Sequence, residues 1–150
     1  MTTLLFILLF ILLIAPISNT IHECGHMIGA RITGADHMLL SIGIGKPIAT
    51  FSLRRVTVTI HLFYFLGGMA TNVRSIPYRP FEMAIITIGG PFFSILCAFV
   101  VGLLMGIYPN EILLLFLLFN LWIGIINLIP FKRKDKKSDG YILFKLIFKE

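Results

Sequence analysis

The chain has 150 residues, 57% of them hydrophobic and only 13% charged, with a formal net charge of +6. A soluble domain is roughly a quarter charged, and so short a chain has too little interior to hide this much apolar surface. The figures exclude a soluble globular fold and a soluble basic domain for nucleic acid, and they make the bilayer the natural solvent of a single domain, residues 1–150.

Residues 3–20 are a near-continuous apolar run, and "IHECGHMIGA" carries it on to about residue 30. With no basic segment before it and no small-residue cleavage site, the run reads as a retained helix rather than a removable signal. A stretch of different character follows, "GIGKPIATFSLRRVTVTIHLFYFLGGMATN". Within it Val56, Val58, Ile60 and Leu62 alternate with Thr57, Thr59 and His61, the period of a strand. The pattern predicts a β-hairpin at about 47–62, turning at Arg54 and Arg55 and ended by Gly67 and Gly68. Open strand edges are not tolerated in hydrocarbon, so the hairpin belongs at the interface or in a protein-lined cavity.

The connector "RSIPYRP" leads to a second apolar span at 81–107, with Gly89, Gly90 and Pro91 well inside it. Such a triplet loosens a helix and permits close packing. A third span, 112–130, sets Asn120, Gly124 and Asn127 on one helical face. Each span approaches the ~20 apolar residues needed to cross a core of about 30 Å. The fold class expected is an all-α integral membrane protein with three transmembrane helices and a small membrane-associated β-hairpin between the first and second. The basic loop "FKRKDKK" comes next, and the last ten residues suit a short amphipathic helix against the membrane surface. Cys24 and Cys97 predict no disulfide framework.

All 13 lysines and arginines fall in 31–79 or 132–149. Three spans with the N-terminus outside place every one of them on the cytoplasmic side, which predicts a multi-pass protein of the cell membrane with its C-terminus in the cytoplasm.

The chemistry concentrates in "HECGH". On a helix, positions i and i+4 share a face, so His22 and His26 can present two imidazole nitrogens to one Zn²⁺. Glu23 stands beside the first as a general base for a water whose pKa the metal lowers. Histidine and glutamate are costly inside a membrane and are functional there by default. A catalytic zinc takes a third protein ligand. Among the other acids Glu82 and Glu111 lie at helix ends, Asp36 sits close to the exit of the first helix and Glu150 is terminal, which leaves Asp135 and Asp139.

"HECGH", "GGPFFS" and "NLIPFKRKDKKSDGY" together resemble the site-2 protease family of intramembrane zinc metalloproteases, peptidase family M50, over nearly the whole chain. The resemblance implies one Zn²⁺ per chain held by His22, His26 and Asp139, with Glu23 as catalytic base. Asp135, at about the family's usual distance from Asn127, is the alternative ligand, whereas Asp139 has the Asp-Gly context. Asn127 falls in the family's Asn-x-x-Pro element. Ser94 stands where an asparagine is common, and both become candidates for contact with substrate or oxyanion. About 18 residues at 1.5 Å each separate Leu4 from His22, or roughly 27 Å, so the site lies toward the cytoplasmic side. Water is expected to reach it through a polar cleft lined by Asn120, Asn127 and Ser94.

The implied partners are a membrane-embedded peptide or protein substrate and the lipid bilayer, with a regulatory or transporter protein as a further one and no nucleic acid. The rival expectation is a non-catalytic membrane partner, an immunity or peptide-export component that retains the fold. Glu23 separates the two, because holding a metal does not require it and turnover does.

Overall fold

The computed structural model describes residues 3–133 and 136–148. Asp135 therefore lies outside the described residues. Helix α1 runs over Thr3–Ile32, with a π-helical stretch at Phe10–Ile14. Strands β1 (His37–Leu53) and β2 (Val56–Val73) follow, then α2 (Pro80–Met105), α3 (Glu111–Leu128), two two-residue strands at Lys132–Arg133 and Lys136–Lys137, and α4 (Asp139–Phe148). The helices α1, α2 and α3 are long and apolar enough to cross a membrane. Their outward residues, among them Leu4, Phe99 and Trp122, are exposed, as a lipid-facing surface requires.

The all-α expectation fails: this is a mixed α/β protein. The hairpin is far larger than 47–62, because both strands bend and pair more than once. Residues 49–53 pair with 56–60 across the turn at Arg54–Arg55, and residues 38–42 pair antiparallel with 68–72. Residues 38–42 also lie beside 56–60, advancing in the same direction, and the Met38 N–H donates to the Arg55 carbonyl at 2.8 Å. Two strands thus fold into a four-segment sheet in which 68–72 forms one edge. Gly67 and Gly68 do not end β2, which continues to Val73. Gly43 makes the first bend at φ +82°, where a Cβ would strike the Phe63 carbonyl.

The sheet stands alongside α1 rather than capping its end. Ala70 is bonded to Glu23, and the Tyr64 hydroxyl donates to the Leu12 carbonyl at 3.2 Å. Eleven residues of helix separate those two anchors, about 16 Å. Backbone at that depth is tolerable because the strands pair with one another and lean on protein. Where α1 ends, Arg74 donates to the Thr33 carbonyl at 2.6 Å and to both Glu82 oxygens at 3.0 and 2.8 Å, clasping the connector between α1 and α2. A small core of Ala30, Ala35, Met38 and Ile86 seals that end. The last helix forms as expected and packs against α2 and α3, leaving Phe144, Ile147 and Phe148 exposed. Cys24 and Cys97 are free.

Candidate metal centre

Ser18, His22, Gly25 and Gly29 are the buried stripe of α1, spaced at one turn or just less. Gly25 and Gly29 have no side chains, so α2 approaches backbone to backbone. A Cβ on Gly25 would run into the Gly89 carbonyl, and one on Gly29 would lie 2.8 Å from the Ile85 carbonyl oxygen. This close seam brings Gly90 over both histidine rings. A Cβ there would overlap His26 and come within 2.8 Å of His22 Nε2. The bare glycine leaves open the space toward which both imidazole Nε2 atoms point.

Asp139 completes the group from the far end of the chain. The loop before it closes on itself: the Ser138 N–H donates to the Phe131 carbonyl at 3.0 Å, and the Phe131 N–H donates to Ser138 Oγ at 3.0 Å. Lys132 and Arg133 pair with Lys137 and Lys136, so the basic insertion is looped out. Ser138 Oγ also accepts the Tyr141 N–H at 3.1 Å, an N-terminal cap for α4. Gly140 presses against the Leu128 carbonyl, where a Cβ would not fit. The insertion therefore adds length without displacing the aspartate.

His22 Nε2 lies 3.2 Å from Asp139 Oδ2 and 3.2 Å from His26 Nε2, and His26 Nε2 lies 3.5 Å from Asp139 Oδ1. Tetrahedral zinc with bonds of about 2.0–2.1 Å separates its ligand atoms by roughly 3.3 Å. The three side chains fit the metal. Burial alone would raise the Asp139 carboxyl, but hydrogen bonding and charge from the two imidazoles outweigh it and hold the group below the usual aspartate range. An ionised carboxylate is what a cation there requires.

Both rings are oriented from behind. The His26 Nδ1–H donates to the Ile86 carbonyl at 2.9 Å, which leaves Nε2 of the neutral ring as a lone pair aimed at the centre. His22 Nδ1 is 3.0 Å from Ser94 Oγ. Ser94, considered in the sequence for substrate or oxyanion, is 0% exposed and bonded to His22. Such outer partners are typically worth 10–100-fold in metal affinity. Ser94→Ala is expected to weaken zinc binding by about 10–100-fold in a competition titration against a fluorescent chelator, and an unchanged zinc affinity would show that the serine does not hold the ring.

Glu23 is half-buried beside the histidines, and its Oε2 accepts the Ala70 N–H at 2.6 Å. That N–H points away from the sheet, since Ala70 lies on the edge segment paired with Leu40. The Glu23 carboxylate is thus fixed by the hairpin, a contact that no sequence signal marked. Asn127 donates to the Ile123 carbonyl of its own helix at 3.0 Å. Asn120 is fully buried one turn below the site, donating to Ser18 Oγ at 2.8 Å. The structure therefore gathers His22, Glu23, His26, Asp139 and Ser94.

Compared with known families, the profile described as peptidase family M50 matches residues 6–110. The match takes in "HECGH", the sheet and α2, and stops short of Asp139. No curated protein matches the chain significantly.

Proposed function

The chain belongs to peptidase family M50, the site-2 protease family of membrane metallopeptidases, and from that premise we propose that it hydrolyses peptide bonds of a transmembrane or membrane-associated substrate within or beside the bilayer. The observation that carries this reading is the convergence of His22, His26 and Asp139, whose ligand atoms all lie within 4.8 Å of one another, with Glu23 adjoining. Zinc bound there would lower the pKa of a water toward about 7 and polarise a carbonyl.

The protein's own groups supply the rest. Ser94 and the Ile86 carbonyl hold the two imidazoles in place. Glu23 Oε2 is occupied by the Ala70 N–H, so Oε1 is the atom that takes the proton from the attacking water. The same oxygen returns it to the leaving amine nitrogen as the amide bond breaks, giving a new amine and a new carboxylate. A substrate helix must unwind locally first, because its amides are satisfied by their own hydrogen bonds.

The membrane orientation that accompanies this reading puts the N-terminus outside and the C-terminus and metal side in the cytoplasm. It is supported by the confinement of all 13 basic residues to 31–79 and 132–149. Substrate and any regulatory or transporter partner are recognised by the core or the sheet.

The test is made on the purified chain in liposomes, with zinc content and cleavage of a transmembrane reporter peptide measured together. About one zinc per chain is expected. A chelator should reduce cleavage to background, and added zinc should restore it. A chain that binds no zinc, or one that cleaves equally well without it, would leave the non-catalytic alternative standing.

A further inference from the structure

On the face where α1 ends, away from the metal centre, a cavity of about 440 Å³ is lined by Arg31, Met38, Leu53, Arg54, Arg55 and Val56. Three guanidinium-bearing residues line it together because the folded sheet returns its Arg54–Arg55 turn to the last turn of α1, where Arg31 stands. Among the described residues, none of the three has an acidic side chain within 4.0 Å. The nearby Asp36 is engaged elsewhere, since its Oδ2 accepts both the N–H and the hydroxyl of Ser75 at 2.7 and 2.5 Å.

Three arginines around one cavity, with Asp36 near Arg55 the one carboxylate among the described residues that acts on them and not in direct contact, leave an excess of positive charge that favours an anion. Guanidinium geometry suits phosphate oxygens in particular. Arg54 adds an independent sign. It holds the turn at φ +51°, a left-handed conformation that glycine or asparagine adopts at far less cost. A strained residue of this kind marks a position where the side chain matters more than local comfort.

We infer that this cavity binds the phosphodiester headgroup of an anionic phospholipid in the leaflet where α1 ends. The source of the phosphate follows from the rim. The apolar span of α1 ends at Ile32, next to Arg31, so the cavity opens at headgroup level. Ile32 is 72% and Leu53 76% exposed, and acyl chains would cover them as free phosphate cannot. The bound lipid braces the α1 terminus against the sheet, and the sheet is the element that holds Glu23.

The full chain, purified in detergent, is titrated with short-chain phosphatidylglycerol, and the bound fraction is read by native mass spectrometry, with phosphatidylcholine as the neutral comparison. Wild type should bind one phosphatidylglycerol in preference to phosphatidylcholine. Each arginine replaced should weaken that binding by roughly fivefold, cumulatively in R31Q/R54Q/R55Q. Arg54→Asn is the decisive variant because it relieves the turn. Its melting temperature should hold or rise while its lipid affinity falls, a pair of changes that a purely structural arginine would not produce. Lys145→Gln, on α4 and away from the cavity, should bind as wild type does. Undiminished affinity in Arg54→Asn and in the triple variant would overturn the proposal. So would displacement of the lipid by inorganic phosphate at equal concentration, which would make free phosphate the ligand.

Discussion

Glu23→Gln is expected to slow peptide cleavage by roughly 10²–10⁴-fold, the usual contribution of a positioned general base, while zinc content stays at that of wild type. The substitution is nearly isosteric, and the amide oxygen of glutamine can still accept the Ala70 N–H that Glu23 Oε2 accepts at 2.6 Å. The sheet edge should therefore stay in place. The residues proposed to hold the metal are His22, His26 and Asp139, and their mutual contacts do not pass through Glu23. What disappears is the ability of Oε1 to hold a proton between its removal from water and its delivery to the amine. The assay pairs zinc analysis with single-turnover cleavage of a reporter peptide in liposomes. Cleavage near the wild-type rate would place the base elsewhere, and loss of zinc would make Glu23 part of the metal's support.

The second large effect is expected where no ligand is touched. Gly90→Ala should cost at least about 100-fold in zinc affinity, the upper end for changes outside the ligand set, and cleavage should fall with it. The added methyl would lie in the space between α2 and the two rings, overlapping His26 and 2.8 Å from His22 Nε2. Neither ring can easily swing away, since the Ile86 carbonyl and Ser94 hold their Nδ1 atoms and the helix backbones already touch at Gly25. Gly102→Ala in the same helix is the control. Its Cβ would meet only Leu117 Cδ1 at 3.4 Å, an ordinary contact, so zinc and activity should survive. If Gly90→Ala binds zinc as wild type does, the rings have more freedom than their anchors imply.

These two residues differ in how the sequence reveals them. Glu23 stands out in "HECGH" because a short-range motif encodes a short-range geometry, i to i+4 on one helix. Gly90 is visible as part of a Gly-Gly-Pro, but nothing local says that it faces two histidines, 68 and 64 residues earlier. The three spans were legible for the same reason as the motif, since apolar length is a property of one segment. The sheet was not. "HMLLSIGI" alternates poorly, and Gly43, Gly45, Gly67 and Gly68 read as strand breakers, although the structure uses Gly43 and Gly45 at positive φ to fold one strand back beside another. Register between bent segments depends on contacts that no single window contains. The Ala70 N–H was invisible for a plainer reason: a backbone donor carries no residue signature.

Asp139 shows the same limit from the other side. Spacing from Asn127 drew attention to Asp135 as well as Asp139, because counting residues treats a loop as rope. The hydrogen bonds between Phe131 and Ser138 pinch the basic insertion into a side loop, and only the structure contains that pinch.

His22 and Asp139, the first and last members of the candidate metal centre, are 117 residues apart in the chain. At a synthesis rate of about 5–20 residues per second, Asp139 leaves the ribosome roughly 6–23 s after His22. Throughout that interval α1, the sheet and α2 can enter the bilayer beside other newly made membrane proteins with only two of the three ligands present. On the function proposed above, a protease assembled from distant parts of its own chain stays silent during its own biogenesis and arms itself only when its final helix docks.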